Sequence, residues 1–267
     1  MQKMNFSGIV VTYNDSRRLA DCLNSLKFCS ELIVVDLGSA DNSIDIAKSH
    51  EARVVQYEWT PIVERVRDSV LHMAKYDWII VIDPDEVFPI KLASKIYEMI
   101  EKNIKLAAID LPWQFYFLGH PLTSTAWGQA DRIKRVVVNR RRVEFYREVH
   151  RGIRVKDGFD VMKLPSDGSN FIKHYWIDSY KQLFEKHWRY LKSEGEAQYK
   201  EGERFTFRRG IFLTLKTLKK NLFDYKGIRG GWEGVFLSFF YAWYVAMSWL
   251  SLLQYQLKIK HQSRIYA

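Results

Sequence analysis

Residues 78–86 read Trp78-Ile79-Ile80-Val81-Ile82-Asp83-Pro84-Asp85-Glu86, an apolar run that ends in three carboxylates. Its five apolar residues are mostly β-branched and predict a strand that is buried on both faces. Because a buried carboxylate is costly without a partner, the acidic cluster predicts a strand end with a cation or hydrogen-bond donors nearby. In open parallel sheets, ligands bind beyond the carboxyl ends of the strands. The stretch therefore predicts an α/β sheet with a binding site after residue 82.

The acidic turn itself indicates a metal site. Asp83 and Asp85 flank a proline, which fixes the backbone between them. Mg²⁺ takes one or two carboxylates and completes its shell with water and phosphate oxygens. We therefore expect a divalent cation that holds a diphosphate, with a merely solvated acidic turn as the alternative, because D-x-D is a short motif.

The first hundred residues alternate between strand and helix patterns, which predicts a mainly parallel sheet with right-handed crossovers. The predicted strands cover residues 6–12, 31–37, 53–56 and 78–82, and the predicted helices cover 17–26, 43–50, 62–74 and 90–100. After a strand that starts at 106, short strand-like pieces predict an antiparallel extension over 135–139, 152–156 and 171–174. Two helices are predicted next, over residues 179–193 and 208–220.

The second half of the chain is basic and carries one long apolar segment. Residues 1–131 contain 13 Lys and Arg against 18 Asp and Glu, whereas residues 132–267 contain 28 against 13. Residues 234–257 have no charge and are long enough to cross a bilayer, but their many Trp and Tyr residues suit the headgroup region. We expect a membrane-associating helix over about 231–257 that is interfacial or re-entrant. A single transmembrane span and a buried core helix are the alternatives.

Other features of the sequence indicate the expected cellular compartment and binding partners. Two cysteines, Cys22 and Cys29, are too few for a disulfide framework and fit a reducing compartment. The N-terminus has no signal-peptide pattern, so we expect a cytosolic location. No nucleic-acid-binding motif is present, and we expect no nucleic-acid partner. We expect an anionic membrane surface to contact the basic residues 140–142, Lys216, Lys219 and Lys220.

Polar residues also follow the first two predicted strands. Thr12, Tyr13 and Asn14 end the first strand, and Asp36 ends the second. The turn at residues 38–43 contains Ser39 and Asp41. An aromatic side chain at this edge can stack on a base, and amide or carboxylate groups can bind its edge or a ribose. Helix capping is the alternative for the Asn and Asp residues.

Taken together, these motifs resemble the family 2 glycosyltransferases of the GT-A fold. The resemblance rests on residues 10–14, 31–43, 57–59, 77–78 and 83–86. The chain is similar, more narrowly, to the bacterial branch that includes lipopolysaccharide-core β-1,4-glucosyltransferases. That likeness continues through residues 117–119, Asp131 with Arg135, 148–150, 174–175, Lys186 with 189–190, and 227–234.

The resemblance implies a GT-A, Rossmann-like α/β fold with a mainly parallel sheet, an antiparallel extension and a C-terminal helical membrane-associating region. We divide the chain into a nucleotide-sugar-binding catalytic domain at residues 1–178 and a helical region at 179–267, although no repeat or low-complexity linker marks the boundary. The implied reaction is an inverting transfer from a nucleotide-diphosphate sugar, usually a UDP-sugar, with Mg²⁺ or Mn²⁺. The implied nucleotide-sugar-binding residues are Thr12, Tyr13, Asn14, Asp36, Ser39, Asp41, Arg67, Asp83 and Arg135, and the implied metal ligands are Asp83, Asp85 and His150. For the lone His150, an ordinary strand-end residue is the alternative.

The motifs say less about the catalytic base and the acceptor substrate. By resemblance, Asp131 is the first candidate for the base that deprotonates an acceptor hydroxyl, and Glu148 is the second; a surface salt bridge is the alternative for both. The expected acceptor is a glycan or glycolipid, such as a lipopolysaccharide core, at the cytoplasmic face of the inner membrane. A polyprenyl-phosphate sugar synthase, which needs no base, and a catalytically silent membrane adaptor are the competing functions.

Overall fold

The computed structural model describes residues 3–60, 63–128, 132–145 and 153–265. The chain divides into two compact units. The first comprises Met1–Gln114 and Ala130–Tyr175, and the second comprises Phe115–Gln129 and Trp176–Ala267.

The first unit is built on a large, mostly parallel sheet, as the sequence predicted. The strands of the described chain are β1 (Met4–Thr12), β2 (Cys29–Asp36), β3 (Arg53–Gln56), β4 (Trp78–Ile82), β5 (Glu86–Val87), β6 (Leu106–Phe117), β7 (His120–Pro121), β8 (Ile133–Asn139), β9 (Val143–Phe145), β10 (Ile153–Val155), β11 (Asp160–Lys163) and β12 (Ile172–Ile177). Of these, β7 and the last residues of β6 and β12 belong to the second unit. The sheet order is β3-β2-β1-β4-β8-β6-β12-β5, with β7 and β11 each paired to β6. Strands β1 to β4 are mutually parallel where they pair, and β8 is antiparallel to both β4 and β6.

Helices cover both faces of this sheet. They are α1 (Ser16–Ser25), α2 (Ser43–Ser49), α3 (Val63–Val70) and α4 (Ala93–Lys102). Alternate residues of β4 enter two different apolar clusters: Ile80 and Ile82 pack with α1, α2 and α4, whereas Ile79 and Val81 pack with α3. Because successive strand residues point to opposite faces, a strand that is apolar at every position must be covered on both sides. The α/β fold predicted from the sequence is thereby confirmed.

The extension of the sheet holds the main departures from the sequence prediction. Strand β11 pairs with β6 in parallel, so this part of the sheet is not wholly antiparallel. Strands β9 and β10 form a separate antiparallel pair. Four of the short strands, β5, β7, β9 and β11, were not predicted, since two to four residues carry too little periodicity to recognise.

The second unit is mainly helical. It contains α5 (Tyr180–Lys200), α6 (Phe207–Lys219) and α7 (Gly231–Ile265), with one turn of π-helix at Lys220–Asp224 and one of 3₁₀-helix at Gly227–Gly230. Helix α5 begins where Ser179 caps it by accepting a hydrogen bond from the Gln182 N–H at 3.1 Å. Gly195 of α5 lies against α7 so closely that a Cβ there would be 2.2 Å from the Ser251 carbonyl oxygen. Both long helices are therefore held at backbone contact distance.

One helical segment of the described chain, Gly227–His261, is long and apolar enough to cross a membrane by length and composition. Of its most apolar window, 39% is buried inside the protein, and the other residues of the window are partly or fully exposed. The helix runs eight residues beyond the predicted end at 257, because the Lys, Gln and Arg residues that follow are good helix formers.

Candidate functional site

The acidic turn lies at the end of a central strand. Strand β4 pairs with β1 on one side and with β8 on the other, and its last residue, Ile82, stands opposite Val10 of β1. The turn closes on itself: the Asp83 N–H donates to Glu86 Oε2 at 2.9 Å, and the Glu86 N–H donates to the Asp83 carbonyl at 3.0 Å. Glu86 is completely buried, whereas the Asp83 side chain is 33% exposed. The sequence prediction that carboxylates gather at this strand end agrees with this geometry.

A lysine from β8 neutralises the buried part of the cluster. Lys134 Nζ lies 2.7 Å from Asp83 Oδ2 and 2.6 Å from Glu86 Oε2. Arg67 of α3 donates to the other oxygen of Asp83. Burial alone would raise the pKa of Asp83, but Lys134 and Arg67 outweigh it and hold that pKa well below its usual range. For Glu86, burial dominates and its pKa is raised.

Asp85 points to a second set of partners. Its Oδ2 lies 3.2 Å from His174 Nε2, and its carbonyl accepts the Tyr175 N–H at 2.9 Å. The His174 ring is stacked on Trp113, with ring centroids 4.9 Å apart and planes 3° from parallel. Lys134 Nζ also lies 5.1 Å from the centre of the Trp113 ring. The indole therefore links the histidine beside Asp85 to the lysine beside Asp83.

The residues fit a divalent cation held through one carboxylate. Both oxygens of Asp83 already bind cationic side chains, whereas the Asp85 side chain is 29% exposed and presents a carboxylate at the strand end. Within the described ranges, no group of three His, Cys, Asp or Glu residues is arranged to hold a metal ion. Since Mg²⁺ is commonly held by a single carboxylate together with water and phosphate oxygens, Asp85 suffices as the protein ligand. Asp83 would become a direct ligand only after release from Lys134 and Arg67.

The ends of β1 and β2 are tied together by the predicted polar residues. Asp36 accepts hydrogen bonds from the N–H groups of Gly38 and Ser39 at 3.1 Å. Ser39 Oγ accepts the Asn14 N–H at 2.9 Å, and Asn14 Oδ1 accepts the Ala40 N–H at 2.8 Å. These bonds give Asp36, Asn14 and Ser39 a structural role in the two loops. Their contact with a nucleotide stays a prediction.

Two exposed aromatic rings stand beside these loops. Tyr13 is 46% exposed and Trp59 is 57% exposed, and their ring centroids are 6.4 Å apart at an angle of 63°. Beneath them, Thr12 is 1% exposed, and its Oγ1 has no hydrogen-bond partner in the described part of the chain. Exposed aromatic faces at a strand end are suited to stacking on a base. Trp59 extends the aromatic surface that the sequence predicted from Tyr13 alone.

The loop after β1 carries another acidic group close to the turn. Burial raises the pKa of Asp15 to about 6, against a hydrogen bond from the Tyr13 N–H, and the charges of Asp85, Asp41 and Asp83 raise it further. Asp41 behaves oppositely: although burial opposes the change, hydrogen bonds from Ser43 and Ser16 lower its pKa to about 2. Asp41 is thus a fixed anion that joins the α1 and α2 ends, while Asp15 titrates close to neutral pH.

The predicted diphosphate-binding arginines differ in placement. Arg67 lies beside Asp83, as described above. Arg135 instead forms two hydrogen bonds with the buried Asp110, at 2.7 and 3.1 Å, and donates to the Ile153 carbonyl at 2.8 Å. Because neighbouring strand residues point to opposite faces, Lys134 rather than Arg135 reaches the acidic turn.

Three predicted residues, Asp131, Glu148 and His150, lie outside the described residues, so their roles stay predictions. The sequence reasoning missed Lys134 and gave no separate role to Glu86. It noted His174 within a resemblance motif without connecting it to Asp85. The adjacent basic residues of β8 were the available signal, but only the strand register shows which of them faces the turn.

Comparison with known proteins gives one match to a family model. The model for glycosyl transferase family 2 matches residues 7–155, which is more than half of the chain and includes the acidic turn and the ends of β1 and β2. His174 and Tyr175 lie beyond the matched residues.

Curated relatives match over a little more than half of the chain. The SPbeta prophage-derived glycosyltransferase SunS of Bacillus subtilis is 29% identical over 147 residues, covering 53% of this chain and 33% of SunS. The lipopolysaccharide core biosynthesis glycosyltransferase LpsC of Rhizobium meliloti is 21% identical over 156 residues, covering 57% of each chain. This chain therefore spans between a third and just over half of the length of these relatives.

Solved structures align over about half of the chain. Glucosyl-3-phosphoglycerate synthase from Mycobacterium tuberculosis, solved with Mg²⁺ and UDP, aligns with a TM-score of 0.37 and 15% identity, covering 51% of this chain and 57% of that one. The S. aureus TarS structure aligns with a TM-score of 0.37 and 22% identity, covering 42% of this chain and 22% of that one.

Proposed function

Because this chain belongs to glycosyltransferase family 2, we propose that it transfers a sugar from a UDP-sugar to an acceptor hydroxyl, with inversion and with a divalent cation. The proposed acceptor is a glycan or glycolipid of the cell surface, such as a lipopolysaccharide core, at the cytoplasmic face of the membrane. The observation that carries the proposal is the position of Asp83 and Asp85 at the end of a central parallel strand. There they lie at the carboxyl edge shared with the loops of Asn14 and Asp36.

The donor site follows from the loops around this edge. Tyr13 and Trp59 offer exposed aromatic faces on which a uracil ring stacks. Asp36 and Ser39 hold the neighbouring loop in place through their backbone hydrogen bonds. Preformed loops of this kind reduce the ordering cost of binding.

The cation would be held by Asp85, with His150 as a predicted further ligand. When bound, it would stabilise the negative charge that develops on the departing diphosphate. Lys134 and Arg67 compensate Asp83 in the absence of donor, so the turn keeps its shape without a net buried charge. The donor's own phosphates would compete for these two cationic side chains, which places charge-assisted donors beside the leaving group.

The acceptor step needs a group that takes the hydroxyl proton. Asp131 and Glu148 remain the proposed candidates from the sequence. The raised pKa of Asp15, about 6, would allow it to accept a proton, but Asp15 follows Tyr13 and Asn14 on the proposed nucleotide side, so Asp131 and Glu148 are preferred.

Donor binding tests this proposal directly. We expect UDP to raise the melting temperature of the full chain, and Mn²⁺ to increase that shift. Asp85→Asn should remove the increase due to Mn²⁺ and leave the stability without ligand unchanged. Asp157→Asn, which changes an exposed aspartate of the same unit, should behave like the wild type.

Three outcomes would contradict the proposal. An equal Mn²⁺ effect in wild type and Asp85→Asn would exclude Asp85 as the metal ligand. No response to any nucleotide or nucleotide sugar would favour the silent adaptor. If donor binding is normal, transfer to a phosphate instead of a hydroxyl would favour the polyprenyl-phosphate sugar synthase.

A further inference from the structure

Helix α6 leaves a large apolar surface uncovered. Phe207, Ile211 and Leu215 follow one another at intervals of four residues and therefore lie on one side of the helix. They are 72%, 47% and 60% exposed, and no side chain of α6 itself is fully buried. Scattered exposed apolar residues are ordinary, but a continuous exposed row marks a contact surface.

An adjoining side of α6 already packs against α7. A Cβ on Gly210 would lie 2.5 Å from Trp249 Cδ1, and the Trp249 indole N–H donates to the Thr206 carbonyl at 2.9 Å. This contact fixes the rotation of α6 about its own axis. The row of Phe207, Ile211 and Leu215 therefore cannot turn inward.

Helix α7 continues the same apolar surface. Its Phe239, Leu250 and Leu257 are 55%, 42% and 56% exposed. Separations of 11 and 7 residues return to nearly the same side of a helix with 3.6 residues per turn. Between α6 and α7 lies an apolar groove of about 290 Å³. Ile211, Leu215 and Leu250 line it, so the two exposed rows meet there.

The charges around α6 indicate what covers this surface. Helix α6 contains no acidic residue. From residue 206 to residue 230 there are seven Lys and Arg residues and one acidic residue, Asp224. An apolar face with a basic border is the pattern of a helix that lies in the headgroup region of an anionic bilayer.

The packing of α7 argues against a span across the bilayer. Along its length α7 contacts α5, whose 21 residues include eight charged side chains. Near the middle of α7, Tyr244 and Ser248 donate hydrogen bonds to the carboxylate of Glu194 at 2.9 and 3.2 Å. A spanning α7 would carry this charged helix into hydrocarbon, where each charge costs several kcal/mol.

We propose that α6 and the exposed row of α7 form a docking face that lies flat on an anionic phospholipid bilayer, with a lipid acyl chain in the groove between the two helices. On this arrangement α7 runs parallel to the membrane surface. The inference specifies how the proposed enzyme meets its membrane acceptor and rests on the proposed function only for that purpose.

Vesicle binding of the full chain tests the docking face. We expect sedimentation with phosphatidylcholine vesicles that contain phosphatidylglycerol, weaker binding without the anionic lipid, and weaker binding in high salt. Ile211→Glu should lower the partition coefficient about tenfold, because it removes an inserting side chain and adds a repelled charge. Ile104→Glu is the matched control, since Ile104 is 85% exposed on the other unit.

UDP binding by both variants separates this inference from the proposed function. Loss of vesicle binding with unchanged UDP binding supports the docking face. Vesicle binding without any nucleotide response would sink the proposed function alone. Equal vesicle binding by Ile211→Glu and wild type would overturn the docking face. So would a dimer in solution that Ile211→Glu dissociates while the wild type ignores vesicles.

The orientation of α7 has its own measurement. Cys22 and Cys29 are both completely buried, so a cysteine introduced at Phe239 or Leu257 can be labelled selectively. A flat helix places the two labels at equal depth, as measured by quenching with brominated lipids. A spanning helix would separate them by about 27 Å along its axis, and unequal depths would refute the flat arrangement.

Discussion

Replacing Lys134 with methionine should destabilise the first unit strongly at neutral pH. The lysine contacts three carboxylate oxygens at 2.6–2.7 Å, two on Glu86 and one on Asp83. Methionine has a similar length and keeps the contact with the Trp113 ring, but it carries no charge. The substitution therefore isolates the electrostatic role of the lysine from its packing.

The expected magnitude follows from what remains after the change. Asp83 keeps Arg67 and is partly exposed, so most of the cost falls on Glu86, which is completely buried. Removing one partner of a buried ion pair costs roughly 3–5 kcal/mol, because the other charge stays in place without compensation. We expect a loss of about 3 kcal/mol at pH 7.5, at the lower end of that range.

The pH dependence of the stability loss in Lys134→Met gives a more specific test. Without Lys134, the already raised pKa of Glu86 rises further, so the folded variant takes up a proton that the unfolded chain does not hold. When folding raises the pKa of a carboxyl group, the free energy of unfolding increases as the pH falls toward the pKa of that group in the unfolded chain, near 4. The deficit relative to wild type should therefore shrink between pH 7.5 and pH 5, by at most about 1.4 kcal/mol per pH unit.

Hydrogen exchange of the β4 backbone amides measures this stability within the first unit, without assuming that both units unfold together. Lys102→Met, which removes an exposed helical lysine paired with Glu98, should change it by less than about 0.5 kcal/mol. The double variant Glu86→Gln/Lys134→Met should regain most of the loss. If Lys134→Met exchanged like wild type at pH 7.5, or if its deficit grew toward pH 5, the assignment of Glu86 as a buried, lysine-dependent carboxylate would be refuted.

Three further expectations concern separate parts of the molecule. Asp15 has a pKa raised to about 6 in the folded state, so the wild type loses free energy of unfolding as the pH rises from about 4 to 6. Relative to wild type, Asp15→Asn should therefore be more stable at pH 7.5 than at pH 4, by up to about 3 kcal/mol. Equal stability differences at both pH values in urea titrations would contradict this. Gly195→Ala should destabilise the packing of α5 on α7 by roughly 1–3 kcal/mol, as followed by thermal unfolding, with the exposed Glu196→Ala as the near-neutral control. Tyr13→Ala should weaken UDP binding by about tenfold in calorimetry, in line with the loss of one stacking ring, and unchanged affinity would remove Tyr13 from the base site.

Most of the first unit could be predicted from the sequence because its signals are local. The β-branched run at residues 78–82 and the polar strand ends at Asn14 and Asp36 define strands without reference to distant residues. The helices on both faces follow from periodicity within single segments. The acidic turn was recognisable for the same reason, since a run of apolar residues stops at consecutive carboxylates.

The lysine that neutralises the acidic turn could not be predicted from the sequence, because its position depends on pairing between distant segments. Lys134 lies 48 residues after Glu86, and it faces the turn rather than the Asp110 side only through the register of β8 against β6. A bulge between Ile109 and Asp110 of β6 shifts that pairing by one residue. A shift of one residue changes which β8 side chains face the turn. Similarly, the spacing of Phe207, Ile211 and Leu215 is visible in the sequence, but only the position of Trp249 shows that this row faces outward.

Strand β8 lies between β4 and β6, although it follows both of them in the chain. During synthesis, β4 and β6 therefore emerge with their facing edges unpaired, and they cannot pair with each other without occupying the place of β8. Unpaired edges are sites of mispairing and aggregation until the missing strand arrives. The same strand brings the ammonium group of Lys134 to Glu86. Insertion of residues 133–139 thus closes the sheet and brings the neutralising charge to the acidic turn in the same step.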